Sequence, residues 1–161
     1  MNYLPEEPVP RLELLKFMPF RLNRLAAEVS GDLAKVYAER FGIDIPEWRI
    51  LATLAVREPR SAQFIVRCTR THKTRISRAV SRLIELGLIE RAGNGDDRRE
   101  VQLKMTPKGR ALYDEMVPLV LERERQVLGC LSEDELRGLT LALDKLEQAL
   151  DLIQDPDRVH D

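Results

Sequence analysis

The amino-acid sequence predicts a mainly α-helical fold with one small β-hairpin and long helices at both ends. Three observations point there. Apolar residues recur at spacings of three and four over most of the 161 residues, which is the period of a helix with one buried side. Apolar and polar residues alternate in two short stretches on either side of Gly93-Asn94-Gly95, the pattern of paired strands around a turn. The composition is tilted toward Leu, Ala, Arg and Glu, with aromatic residues at only 5%. Hydrophobic residues at 43% and charged residues at 33% exclude disordered and collagen-like classes. The length allows one domain with helical extensions and excludes two full-sized domains.

The elements follow in order. After Pro10 the sequence reads as helix, with Leu22, Leu25, Val29, Leu33 and Val36 on one stripe until Phe41-Gly42 stops it; Pro19 marks either its start or a kink. Ile45-Pro46-Glu47 opens a second helix, with proline tolerated in the first turn, and Pro59 ends it. Ser61 caps a short third helix whose apolar side is Phe64, Ile65 and Cys68. Residues 72–86 form a fourth. On a helical wheel Ile76, Ala79, Val80, Leu83 and Leu86 fall on one side, while Thr74, Ser77, Arg78 and Ser81 lie opposite, with Lys73, Arg75 and Arg82 at the borders. Gly87 ends it, and residues 88–92 and 101–105 form the hairpin, with a charged tip. Thr106 caps a helix from Pro107 to about Cys130, with a kink expected at Pro118. Ser132-Glu133-Asp134-Glu135 is a capping box. It starts a last helix in which Leu136, Leu139, Leu143, Leu146, Leu150 and Ile153 alternate steps of three and four. That seam packs either on the chain's own core or on a partner helix; residues 155–161 read as a frayed end.

Charge divides the chain more sharply than its total. Between Arg57 and Arg110 there are fourteen Lys+Arg and six Asp+Glu, a balance of +8. The remaining twelve basic and twenty-one acidic residues give −9, so the whole chain stands at −1. A basic island between acidic flanks suits a segment that neutralises phosphates, because counterion release supplies much of the affinity for a polyanion. A merely solvated charged face is the alternative.

Short helix, turn, basic helix and Arg-bearing hairpin in direct succession is the profile of a winged helix-turn-helix. In that arrangement the basic helix lies in a DNA major groove, where Arg and Lys reach guanine acceptors and small hydroxyl residues permit close approach. Lys73, Thr74, Arg75, Ser77, Arg78, Ser81 and Arg82 are the candidate contacts. Lys73 and Arg75, at the borders, suit phosphates rather than bases.

These residues carry a resemblance to a known family. Ile76-Ser77-Arg78-Ala79-Val80-Ser81-Arg82-Leu83, Gly87-Leu88-Ile89-Glu90-Arg91, and Asp97-Arg98-Arg99 followed by Leu103, Thr106, Gly109 and Arg110 resemble the MarR-type transcriptional regulators, over about residues 20–150. The resemblance implies a triangular homodimer with interlocked terminal helices, binding a pseudo-palindromic operator on double-stranded DNA. It divides the chain into an N-terminal arm and dimerisation helix (1–44), a DNA-binding unit (45–106) and C-terminal dimerisation helices (107–161). It also implies that Asp97 anchors the wing through a salt bridge to a basic residue of the reading region, while Arg98 or Arg99 enters the minor groove.

Regulators of this kind release DNA when an aromatic acid or its thioester, such as an aryl-CoA, binds between the dimer helices and the winged unit. Phe20, Arg21, Arg24, Tyr37, Trp48, Arg49 and Met116 are the candidates for that site here, although Phe20 and Trp48 suit a core better and the arginines also suit pairing with neighbouring acids. Related redox sensors carry a cysteine near the start of the first helix. This chain has none there, and Cys68 reads as a small apolar residue. With no activation segment, repression is the expected direction. No Ser-His-Asp, paired-carboxylate, nucleotide-loop or zinc-ligand pattern is present, so neither catalysis nor a cofactor is expected. A winged-helix scaffold that binds protein instead of DNA is the rival reading. The acidic, Pro-bearing N-terminus and the lack of a long apolar run give the expectation of a cytoplasmic protein with reduced thiols and no membrane contact.

Overall fold

The computed structural model describes residues 10–93 and 101–152. A single 3-10 turn, Leu14–Lys16, leads into α1 (Met18–Phe41), followed by α2 (Ile45–Val56), β1 (Arg60–Ser61), α3 (Ala62–Thr69), α4 (Lys73–Glu85), β2 (Ile89–Arg91), β3 (Gln102–Met105), α5 (Pro107–Leu128) and α6 (Glu133–Ala149). Pro19 starts the first long helix rather than kinking it: it lies in the first turn of α1, where its missing N–H costs nothing. Gly42 closes α1 at φ 65, a left-handed conformation that glycine adopts without strain. Two residues later Asp44 caps α2. Its carboxylate accepts from Glu47 N at 2.9 Å, and Glu47 returns an oxygen to Asp44 N at 2.8 Å.

The sheet differs from the expected two-stranded hairpin. It has three antiparallel strands in the order β1-β3-β2, with Arg60 opposite Leu103 on one side of β3 and Ile89 opposite Met105 on the other. The added strand is two residues long and too short for any periodicity, so nothing in the sequence marks it. Beyond it, Met105 N donates to the Glu58 carboxylate at 2.8 Å, and Arg110 pairs with the same carboxylate at 3.2 Å.

The core sits between α2, α4, the sheet and the middle of α5. Ile50, Leu51 and Leu54 from α2, Ile65 from α3, Ile76 and Leu83 from α4, Ile89 and Leu103 from the sheet and Met116 from α5 are all fully buried. Each contributes about 1.5–3 kcal/mol by leaving water. α1 joins this body only through its C-terminal half. Tyr37 is its one buried residue, and Asp32 receives a two-point fork from Arg123 of α5 at 2.7 and 2.8 Å. α5 continues through Pro118 as one helix. α6, capped by Ser132 and Glu135 as expected, buries no residue at all. Its leucines are exposed, as are Leu14, Leu15, Phe17, Met18, Leu22 and Leu25 at the other end of the chain. Of the two places left open for the α6 seam, the chain's own core is thus excluded within the single protomer. No helix among the described residues is long and apolar enough to cross a membrane. Residues 155–161, expected to fray, lie outside the described residues.

Candidate nucleic-acid interface

α3 and α4 form a helix-turn-helix. Ser61 caps α3 by accepting from Phe64 N at 3.1 Å, and Arg70 ends it at φ 51, a left-handed conformation rare for a residue with a side chain. The turn is fastened from behind: Arg49 of α2 donates to the buried Thr71 hydroxyl at 3.0 Å. His72, expected as the first helical residue, is instead the N-cap of α4, its Nδ1 accepting from Thr74 N at 3.3 Å.

α4 divides as the wheel predicts. Ile76, Ala79 and Leu83 are buried, whereas Lys73, Thr74, Arg75, Ser77, Arg78, Ser81 and Arg82 are exposed; Leu86, assigned to the apolar side, is exposed too. At 13 residues the helix is about 20 Å long, enough to cross a major groove. The Ser81 hydroxyl donates to the Ser77 carbonyl at 3.1 Å. That bond holds the side chain against the helix and leaves its lone pairs outward. Arg75 and Arg78 pair with no carboxylate among the described residues, so their guanidinium groups are available to an incoming anion.

Arg82 is different. Expected at the DNA border, it is tied instead to protein: its Nη1 lies 2.6 Å from both Glu47 carboxylate oxygens, and Nη1 and Nη2 both reach the Gly42 carbonyl at 3.1 Å. The physical reason is Glu47, whose carboxylate is fully buried. Such a charge is tolerable only with a cation beside it.

Between α3, α4 and the sheet lies a cleft of about 460 Å³, with Ile76 and Leu103 at its floor and Arg67, Lys73, Ser77, Ser81 and Arg91 around it. Arg67 and Arg91 were counted in the basic island but not placed on the reading face; only the fold brings them beside α4. On β2, Glu90 faces Lys104 across the ladder and pairs with it at 3.2 Å. Asp97, Arg98 and Arg99 lie outside the described residues.

The seven effector candidates do not come together in one protomer. Phe20, Arg21 and Arg24 sit near the start of α1, where Arg24 lies over the Phe20 ring at 5.7 Å. Thirteen to seventeen residues of helix place them about 20–25 Å from Tyr37. Met116 is wholly in the core. What remains is an aromatic ladder across three helices: Tyr37 on Trp48 at 5.5 Å, and Trp48 on Tyr113 at 5.7 Å, with rings within 16° of parallel. Tyr113 was missed, since it comes from α5, far along the chain. Burial pushes both tyrosine pKa values up, and Arg49 and Arg110 oppose the shift at Tyr37 and Tyr113 respectively. Cys68 is half-buried, and burial raises its thiol pKa too, which lowers its thiolate fraction and its reactivity.

The comparisons with known proteins agree with this geometry. A family model described as MarR family matches residues 41–100. The HTH-type transcriptional regulator PecS of Dickeya dadantii (strain 3937) is 30% identical over 132 residues, which span 80% of this chain and 79% of that regulator. The chain belongs to the MarR family. As a MarR-family member it is a DNA-binding transcriptional regulator and not an enzyme. The same family fold is found in a MarR/EmrR family transcriptional regulator from Acinetobacter sp. ADP1, with a TM-score of 0.78 at 30% identity over 87% of this chain and 99% of that one. A MarR family protein of Mycobacterium tuberculosis in complex with salicylic acid shares the fold at 21% identity, with a TM-score of 0.67 over 81% of this chain and 96% of that one.

Proposed function

We propose that this MarR-family regulator is a cytoplasmic, homodimeric repressor that reads a pseudo-palindromic operator with α4 and releases it on binding a small aromatic acid or its CoA ester. The observation that carries the DNA reading is the division of α4 into a buried aliphatic side and an exposed side of hydroxyl and guanidinium groups. Ser77 and Arg78 face the bases, Thr74 and Ser81 flank them, and Lys73 and Arg75 hold phosphates. In the wing, Asp97 serves as the local anchor and Arg98 or Arg99 as the minor-groove contact, since a loop must be held before its arginine can be aimed. Residues 45–106 act as the reading unit, and 1–44 with 107–161 as the arms that join two copies. Two copies related by a two-fold axis place their α4 helices about 34 Å apart, one turn of DNA.

The test is a mobility-shift titration against the DNA upstream of the protein's own gene at two salt concentrations. Affinity should fall steeply with salt. Arg78→Ala should weaken specific binding by about 1–3 kcal/mol and relax base preference at one position in each half-site. Salt-insensitive binding, or Arg78→Ala binding as tightly and selectively as the parent, would turn the reading toward a protein-binding scaffold.

For the effector, the Tyr37–Trp48–Tyr113 ladder with Arg49 and Arg110 nearby offers π-faces and cations of the kind an aryl carboxylate needs. Support by analogy comes from the M. tuberculosis relative that holds salicylic acid. Trp48 is the single tryptophan of the chain, so its emission reports directly on this site. Salicylate should quench or shift that emission and lower operator affinity over the same concentration range. Operator release with Trp48 emission unchanged would move the effector elsewhere.

A further inference from the structure

We propose that Glu47 and Arg82 form a positioning clamp that fixes the rotation of α4 for DNA reading, and that Arg82 is not itself a DNA contact. One guanidinium joins three elements. Its Nη1 bridges both oxygens of Glu47, in the first turn of α2, at 2.6 Å, and Nη1 and Nη2 share the carbonyl of Gly42, the C-cap of α1, at 3.1 Å. Glu47 is itself held in place by its surroundings. It is fully buried, and its Oε2 also accepts Asp44 N at 2.8 Å within the α2 capping box.

Along the body of α4 the clamp supplies a directional contact to other elements; the hydrogen bonds from Thr106 and Lys108 at the start of α5 reach only the C-terminal end, at Gly87 and Leu86. Ile76, Ala79 and Leu83 hold the helix by aliphatic contact, which is non-directional and tolerates small rotations. A charge-assisted bond to a fixed carboxylate does not. Arg75, Arg78 and Arg82 lie three, four and seven positions apart, on one stripe of α4, and with Asp44 and Pro46 they border a shallow cleft of about 210 Å³. The last member of that stripe is anchored and the first two are free of ion pairs among the described residues. A turn of α4 about its axis by roughly 10–20° is enough to spoil a hydrogen-bonding constellation, and it would carry Arg78 off its base while leaving the overall charge unchanged. Because the anchor includes the α1 cap, a displacement at the end of α1 is passed to α4 through the same guanidinium.

Charge gives a test whose sign separates the clamp from a phosphate contact. Glu47→Gln removes a negative charge and retains the capping box, since glutamine serves at that position as well as glutamate. The probes are a duplex selected from a random pool by the wild-type dimer and a scrambled duplex of the same length. The clamp predicts that Glu47→Gln lowers affinity for the selected duplex at least tenfold, leaves the scrambled duplex within about twofold, and leaves the slope of log affinity against log salt unchanged. Arg82→Gln should do the same, and the double variant should be no worse than either single one, as expected for two members of one unit. If Arg82 instead held a phosphate, Glu47→Gln would bind as tightly or more tightly, and Arg82→Gln would lower the salt slope by about one; either result overturns the proposal. So does an equal loss on both duplexes, which is the mark of a smaller folded fraction, and thermal melts of each variant read that fraction directly.

Discussion

Gly109→Ala should unfold at a clearly lower denaturant concentration than the parent, a loss of about 3 kcal/mol. The reason is a backbone contact that leaves no room for a side chain. A Cβ on Gly109 would stand 1.9 Å from the Leu88 carbonyl oxygen and 2.8 Å from its carbon. Neither partner can retreat. Thr106 donates its hydroxyl to Gly87 O at 2.6 Å and its N–H to Leu88 O at 3.1 Å, and Lys108 reaches Leu86 O at 2.7 Å, so the first turn of α5 is fastened to the end of α4. Leu88 is in turn buried and bonded through its N–H to Leu83 O at 2.9 Å. Helix propensity alone would favour alanine by about 1 kcal/mol, so the sign of the result tests the contact itself. Gly31, inside α1 with nothing within 4 Å of its would-be Cβ, is the control: Gly31→Ala should gain up to about 1 kcal/mol. A Gly109→Ala protein as stable as the parent would mean that α5 is not seated on the α4–β2 turn.

That contact also shows what could be read from the sequence and what could not. Gly109 stands out within the family-like pattern, but the residue it must clear is twenty-one positions upstream, on another element. The same division runs through the site. α4 was legible because its period alone sorts Ile76, Ala79 and Leu83 from Ser77 and Arg78, and the Ser132 capping box because all its parts lie within four residues. Arg82 was legible as a charge and not as a clamp, since Glu47 is 35 positions away and reads only as the third residue of a helix. The effector candidates are dispersed within one protomer for a related reason: periodicity says which face a residue is on and nothing of which residues share a level along a helix axis. Phe20 and Tyr37 were therefore grouped although a helix of that length separates them, while Tyr113, which completes the ladder, was passed over. β1 was illegible because two residues carry no period.

The largest effect on function should come from the ends of the chain. In the single protomer the α6 leucines are exposed, from 37% at Leu139 to 61% at Leu141, as is the C-cap Leu150 at 67%, and no α6 residue is buried. At the other end Leu15, Met18, Leu22 and Leu25 lie around a groove beside Arg21, Arg24 and Glu28 on α1. Apolar surface on this scale on a helix of period 3.5 calls for a partner, and a second copy related by a two-fold axis presents the same faces in return. Every substitution then occurs twice. The double variant Leu143→Glu, Leu146→Glu removes four leucines from such an interface, a loss of about 6 kcal/mol or more at roughly 1.5–3 kcal/mol each, before the cost of the buried charges. It should sediment as a monomer at micromolar concentration. Its central unit should stay folded, because the core of α2, α4 and the sheet draws nothing from α6. Operator affinity should fall by about 100-fold to 10,000-fold, since the second reading helix no longer arrives at the high effective concentration that linkage provides. A variant that remains a dimer and binds DNA like the parent would show that α6 is not the element that joins the two copies.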